Sequence, residues 1–82
     1  MIRYMVVERF SPGWKEKVYE HFEKYGRLLP EGLEYLGSWR VKEQDMCFQL
    51  MQTNDFSLFE VWQKNWDAIG PWGNFEIFEL EN

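Results

Sequence analysis

The chain has 82 residues, which is enough for one domain, residues 1–82, and too few for two. Its net charge of -5 argues against nucleic acids and anionic membranes as partners, because both attract clusters of Lys and Arg. Aromatic residues make up 20% of the sequence, more than one small core readily buries. This favours an association surface or a ligand groove over scattered exposed aromatics.

The number of cysteines and the N-terminal residues indicate the cellular compartment of the protein. Cys47 is the single cysteine, so a disulfide within the chain is impossible and a reducing compartment is the natural interpretation. The first ten residues include Arg3, Glu8 and Arg9 and do not form a secretory signal pattern. No apolar run approaches the roughly 20 residues that span a bilayer. We therefore expect a cytoplasmic protein without a membrane partner.

The first predicted elements are a strand at about residues 2–10 and a helix at about residues 12–25. The run Tyr4-Met5-Val6-Val7 is apolar at every position, which favours a strand buried on both faces. Ser11 is the expected N-cap of the helix, with Pro12 in its first turn. One helix face is apolar and consists of Trp14, Val18, Phe22 and Tyr25.

A hairpin follows, with predicted strands at about residues 33–41 and 46–53 and a polar loop between them. Gly37 lies inside the first of these strands, which indicates a bulge or a close approach by another group. The other strand alternates between two sets of side chains. Met46, Phe48 and Leu50 share one parity, and Cys47, Gln49 and Met51 share the other.

The second predicted helix covers about residues 55–69 and is followed by a strand at about residues 74–80. Asn54 or Asp55 is its expected cap, and Gly70-Pro71 ends it. Its wide apolar stripe is more typical of core packing than of a cofactor site. The stripe consists of Leu58, Val61, Trp62, Trp66 and Ile69.

The element order predicts an α+β fold of the ferredoxin-like βαββαβ type. Right-handed crossovers give a four-stranded antiparallel sheet with the first and third strands central and both helices on one face. The opposite face should be polar in a monomer, yet the first, third and fourth strands are largely apolar on both parities. We therefore expect a homodimer in which a second copy of the chain covers that face.

Four segments carry a resemblance: Met5-Val6-Val7-Glu8-Arg9-Phe10, Leu29-Pro30-Glu31-Gly32-Leu33, Ser38-Trp39 and Cys47-Phe48-Gln49-Leu50-Met51. Over nearly the whole chain, the sequence resembles a family of uncharacterised bacterial proteins, the domain of unknown function 3303 family. The resemblance implies a dimeric α+β barrel, in which two sheets pack face to face and enclose a cleft. Proteins of this architecture include cofactor-independent monooxygenases, haem-degrading enzymes, dehydratases and small-molecule binders, so the fold selects no function.

Several kinds of chemistry have no support in the sequence. One histidine and one cysteine are too few for a metal site within one chain. We expect His21 on the helix-covered side of the sheet and Cys47 on the other, which argues against a nucleophile pair. The third strand lacks the basic and aromatic pattern of RNA-binding domains, and neither a Cys-x-x-Cys pair nor a phosphate-binding Gly-rich loop is present. We therefore expect no cofactor.

The candidate site is an apolar cleft on the sheet face opposite the helices. Gln49 lies in the middle of a central strand and, if buried, needs hydrogen-bond partners. Glu8 near the end of the first strand would have a raised pKa in such a cleft and could act as a general base. The alternative places Glu8 in water and Gln49 in a dimer contact. The expected ligand-binding residues are Tyr4, Glu8, Trp39, Cys47, Gln49 and Met51.

Three hypotheses on function follow from this site. The leading one is a homodimeric module that binds a small apolar or aromatic molecule, with Gln49 and Glu8 as polar anchors. The second is a cofactor-independent oxygenase, isomerase or dehydratase that uses Glu8 as its base. The third is a structural dimer in which packing fills the sheet face and leaves no cleft.

Overall fold

The computed structural model describes residues 1–81 and contains four strands and two helices in the order βαββαβ. This order confirms the fold predicted from the sequence. The elements are β1 (Ile2–Phe10), α1 (Lys15–Tyr25), β2 (Glu34–Arg40), β3 (Met46–Thr53), α2 (Leu58–Asp67) and β4 (Gly73–Glu79).

The four strands form one antiparallel sheet in the order β2-β3-β1-β4, so β1 and β3 are central, as predicted. The predicted irregularity at Gly37 is a bulge in β2. Tyr35 pairs with Met51 and Gly37 pairs with Leu50, so Leu36 is an extra residue without a partner. The bulge sets the parity of the rest of β2, because Ser38 then pairs with Gln49.

Helix α1 begins three residues later than the sequence predicts. The Trp14 N–H donates to the Ser11 carbonyl at 2.9 Å, and Gly13 has a φ of 81°, which closes a turn instead of a first helical turn. Helical structure therefore starts at Lys15, and Ser11 is not its cap.

Helix α2 is also shorter than predicted and covers Leu58–Asp67. Its N-cap is Ser57, so the prediction of Asn54 or Asp55 as the cap is wrong. Asp55 lies two residues earlier, where its Oδ1 accepts hydrogen bonds from the Ser57 N–H at 3.0 Å and the Ser57 hydroxyl at 2.6 Å. These bonds occupy donors that precede the helix and fix the entry of the chain into it.

Both helices cover one face of the sheet, which we call the inner face. Tyr4 of β1 packs edge-on against Phe59 of α2, and the Arg40 guanidinium of β2 lies over the Tyr19 ring of α1. Val6 is fully buried on this face. The inner face of the two central strands consists of Tyr4, Val6, Glu8, Phe10, Cys47, Gln49, Met51 and Thr53.

The opposite side of the sheet, the outer face, has no layer of this chain against it. Phe78 and Trp39 are 48% and 55% exposed there. Cross-strand pairs join its apolar side chains, so they form a continuous patch across all four strands. The patch consists of Met5, Val7, Trp39, Phe48, Leu50 and Phe78. Within residues 1–81, neither helix has the length and apolar character needed to cross a bilayer.

Candidate functional site

The two central strands place a carboxyl and an amide side by side in the interior. Glu8 of β1 is opposite Cys47, and Gln49 follows two residues later on β3, on the same face. The Gln49 Nε2 atom donates a hydrogen bond of 2.6 Å to Glu8 Oε1. Glu8 is 6% exposed and Gln49 is 8% exposed, so neither group is solvated in the ordinary way. Their contact replaces part of the hydration that burial removes.

Burial is the main influence on the ionisation of Glu8. Loss of water around the carboxylate raises the pKa of Glu8 above its usual value. Hydrogen bonds from Gln49 and Cys47 and the positive charge of Arg27 act in the opposite direction without cancelling the effect. The carboxyl therefore remains protonated to a higher pH than an exposed glutamate.

A cavity of about 50 Å³ lies over this pair, between the inner face and the helices, and we call it the inner cavity. One water needs roughly 10–15 Å³ on the same measure, so there is room for about four waters, whereas a cavity that holds a whole benzene ring has roughly 150 Å³. Its walls are partly aromatic. The lining residues are Glu8, Val18, Tyr19, Phe22, Arg27, Ser38, Arg40, Cys47, Gln49, Trp62 and Trp66.

Two arginines contribute positive charge to the cavity wall. The backbone carbonyl of Arg27 accepts hydrogen bonds from the indole N–H groups of Trp62 and Trp66, at 2.8 and 2.9 Å. This anchors the backbone of Arg27, whose guanidinium stacks 3.4 Å from the centre of the Tyr35 ring. Arg40 stacks over Tyr19 at 3.9 Å. Among residues 1–81, no salt bridge involves either arginine.

Two buried polar atoms near Glu8 lack a hydrogen-bond partner of normal geometry within residues 1–81, namely Gln49 Oε1 and the Tyr19 hydroxyl. Turning the Gln49 amide over exchanges its two polar atoms and still leaves one unpaired. The Cys47 thiol lies close to Tyr19, but a thiol is a weak partner. Buried polar groups without partners are rare in proteins, so each one needs an explanation.

Cys47 and Tyr19 are both neutral near pH 7. Burial raises the pKa of the Cys47 thiol to about 11, and the nearby Glu8 adds to the effect. Burial also raises the pKa of Tyr19 to about 12. A thiol in this state is a poor nucleophile. The described part of the chain brings together no group of three His, Cys, Asp or Glu side chains that could hold a metal ion.

The cleft was predicted on the sheet face opposite the helices, and this position is wrong. The strand positions that carry Glu8, Cys47 and Gln49 face the helices. Glu8, Cys47 and Gln49 come together as expected, but in the inner cavity and not on the open sheet face. Tyr4 and Met51 share the inner face and lie in the core without lining the cavity. Trp39 pairs with Phe48, so it lies on the outer face, away from the other five predicted residues.

The expected separation of His21 and Cys47 by the sheet is also wrong, because Cys47 faces the helices. His21 instead contacts the rings of Tyr25 and Trp66, at 4.6 and 5.5 Å between centroids.

Sequence reasoning missed the helix and β2 contributions to the site. Val18 and Phe22 were identified as part of an apolar helix face, and Trp62 and Trp66 were interpreted as core, so their second role in the cavity wall was not seen. The position of Arg40 in the site follows from the strand pattern, because Arg40 has the same parity as Ser38, which pairs with Gln49 just after the bulge. No such pattern places Arg27, because its position depends on the two indole contacts.

Comparison with known proteins identifies a family and a fold but no activity. No curated protein matches the sequence. An uncharacterised NIPSNAP domain protein from Burkholderia xenovorans has a similar structure, with a TM-score of 0.68 and 14% sequence identity. The match covers 100% of this chain and 94% of that one, and at this identity it supports the ferredoxin-like fold alone. The family model described as domain of unknown function (DUF3303) matches residues 2–78, and the chain therefore belongs to this family.

Proposed function

We propose that this protein binds a small organic molecule in the inner cavity, with Glu8 and Gln49 as its polar anchor. The observation that carries the proposal is the buried Glu8–Gln49 hydrogen bond beside an unpaired Gln49 amide oxygen. Concave sites with mostly apolar walls and a few convergent polar groups are typical of ligand binding. Burying a carboxyl and an amide also opposes folding, and an apolar pair would avoid that cost.

The size and composition of the cavity define the ligand. About 50 Å³ accommodates an end group of a few atoms, so a ring enters only in part unless the side chains around it move. Phe22, Trp62 and Trp66 supply aromatic surface, while Glu8, Gln49 and Tyr19 supply polar atoms. The expected ligand is therefore a small aromatic or unsaturated molecule with at least one hydrogen-bonding group.

The outer face supports the second part of the proposal, a homodimer. Its patch joins Met5, Phe48, Leu50 and other apolar side chains across all four strands. Contiguous apolar patches on small proteins mark association surfaces. The inner cavity lies on the opposite side of the sheet, so dimerisation and ligand binding do not compete for the same surface. The absence of disulfides is compatible with function in the cytoplasm.

A second candidate function is an enzyme that uses Glu8 for proton transfer. Glu8 lines the cavity, and its raised pKa brings it nearer to the pH at which a general acid or base is most effective. Glu8→Gln distinguishes the two functions. A binding protein should release its ligand chemically unchanged from both the wild type and this variant, whereas an enzyme should convert the ligand in the wild type and lose turnover in the variant.

The test is an NMR titration with 4-hydroxybenzamide, a small neutral ring with a hydroxyl group. We expect the indole N–H signals of Trp62 and Trp66 to shift, because both side chains line the cavity. Ser38→Trp places a large side chain at the cavity wall and should abolish the shifts. Leu36→Trp is the matched control, since Leu36 is exposed on the same strand and is not a lining residue. Indole signals that do not move, or that move equally in Ser38→Trp, would contradict the proposal.

A further inference from the structure

We infer that the ligand of the inner cavity is an anion, whose negative group lies against Arg27 and Arg40 while its opposite end reaches Glu8 and Gln49. The inference rests on the proposed function and adds the charge and polarity of the ligand. It assigns to the two arginines a role in selecting the ligand, which sequence reasoning did not anticipate.

The first argument is the charge distribution. The chain has 14 acidic and nine basic residues, so an acidic partner within the chain should be easy to find. Within residues 1–81 only Arg9, Lys24 and Lys64 form salt bridges, and Arg27 and Arg40 are the two basic residues without one that line the inner cavity. Two arginines without acidic partners at one cavity create a positive potential there. The planar guanidinium matches the geometry of both a carboxylate and a phosphate, and the small volume of the cavity favours the smaller carboxylate.

The second argument is that both guanidinium groups are held by stacking and not by hydrogen bonds. Arg27 lies over Tyr35 and Phe22, and Arg40 lies over Tyr19. Within the described residues, no side-chain hydrogen bond from either arginine is found, so their N–H groups are free to donate to a ligand. Stacking also limits the movement of the side chains, which lowers the entropy lost on binding.

The third argument concerns the cavity floor. Glu8 is the one carboxyl group among the lining residues, and burial favours its neutral form, which does not repel an anion. The neutral carboxyl can donate one hydrogen bond, and Gln49 Oε1 can accept one. A hydroxyl group on the ligand can satisfy both because it donates and accepts. The arrangement therefore fits a small hydroxy-substituted aromatic or unsaturated carboxylate.

The test compares two probes that differ in charge and have nearly the same shape, 4-hydroxybenzoate and 4-hydroxybenzamide. Affinities are measured from the Trp62 and Trp66 indole signals at constant ionic strength. We expect the carboxylate to bind at least about tenfold tighter, as charge-assisted hydrogen bonds to arginine should provide. Arg27→Gln and Arg40→Gln should each remove most of this preference, measured as the ratio of the two affinities.

Two further variants control for charge and for folding. Lys42→Gln removes an exposed positive charge two residues from Arg40 and should leave the preference intact. Arg40→Lys keeps the charge and should retain a preference for the carboxylate even if the lost stacking lowers the melting temperature. Equal affinity for both probes, or a preference unchanged in both Gln variants, would overturn the inference while the binding function stands. Failure of both probes to bind would overturn the proposed function as well.

Discussion

In a simple monomeric domain the sheet buries apolar side chains and exposes polar ones, and the two faces of this sheet partly reverse that distribution. The inner face buries three polar side chains, Glu8, Gln49 and Thr53, while the outer face exposes Trp39 and Phe78 to solvent. Burial of polar groups and exposure of apolar ones both oppose the stability of an isolated chain. The proposed binding site inside and the proposed association surface outside would each account for one half of this difference.

A comparison of Gln49 with Thr53 separates a buried polar group whose hydrogen bonds are all made from one that has an unpaired atom. Both lie on β3 with the same parity. The Thr53 hydroxyl donates to the Gly32 carbonyl at 2.8 Å and accepts from the Asp55 N–H at 3.0 Å, so its hydrogen-bonding capacity is used. Gln49 bonds Glu8 through one amide atom and leaves the other unpaired. A satisfied group holds the fold together, whereas an unsatisfied group beside a cavity is free to bind something else.

The largest effect is expected for a charge on the outer face. In the proposed homodimer, Phe48→Glu should shift the protein from dimer to monomer, because an unpaired charge buried in an interface costs roughly 3–5 kcal/mol. Sedimentation velocity of the variant and the wild type measures the change. Gln63→Glu adds the same charge to the exposed surface of α2 and should leave the dimer intact. A Phe48→Glu protein as dimeric as the wild type would rule out this face as the interface.

The next effect compares methionines on the two faces. Met51→Ala removes a fully buried side chain and should lower the free energy of unfolding by about 2–5 kcal/mol. Met5→Ala, tested in the Phe48→Glu background, should cost about 1 kcal/mol or less, because Met5 lies on the face that the monomer exposes. Urea denaturation measures both values. Equal losses would show that the outer face is packed even in the monomer.

A smaller, pH-dependent effect is expected at Glu8. Because its folded-state pKa is raised, the folded protein holds this proton more tightly than the unfolded chain does, and stability falls as the pH rises above about 4.5. Glu8→Gln keeps an acceptor for Gln49 and cannot ionise, so its melting temperature should exceed that of the wild type increasingly toward neutral pH.

Thermal unfolding at several pH values checks this expectation. Glu23→Gln on the exposed side of α1 is the control, and the difference between its melting temperature and that of the wild type should change little with pH. A Glu8→Gln variant that becomes less stable than the wild type as the pH rises would mean that Glu8 is stabilised in its charged form.

The smallest effect is expected at the Arg9–Glu76 ion pair, which joins β1 to β4 at the edge of the outer face. Both side chains are about half exposed, and solvent screens such pairs. In the Phe48→Glu monomer, Arg9→Gln should lower the free energy of unfolding by less than about 1 kcal/mol, and added salt should reduce the difference further. A larger loss that salt does not affect would show that the pair is desolvated.

The sequence predicts the fold well because its signals are local. Strand and helix order, the central position of β1 and β3 and the bulge near Gly37 all follow from periodicity, turn residues and crossover handedness. Helix α1 is the exception at its start, where the positive φ of Gly13 delays the first turn beyond Ser11-Pro12. Proline near a predicted N-terminus therefore did not locate the beginning of the helix.

The sequence does not predict which face of the sheet the helices cover. Tyr4 to Val7 is apolar on both parities, so alternation in β1 cannot distinguish inside from outside. Placing Glu8 and Gln49 away from the helices followed from the usual rule that polar strand positions face outward. That rule fails here, because Glu8 and Gln49 are buried under the helices and bond to each other. Arg27 joins the site through two long-range indole contacts that no local pattern encodes.

The most direct test of a binding site on the inner face and an association surface on the outer face is a crystal structure of the protein with 4-hydroxybenzoate. We predict density for the ring beside Glu8 and Gln49, between the sheet and the helices, with its carboxylate on Arg27 and Arg40. A second copy of the chain should cover Phe48 and Leu50 on the outer face. A ligand bound against Phe48 and Trp39 instead, or an inner cavity closed by repacking of Trp62 and Trp66, would contradict the account.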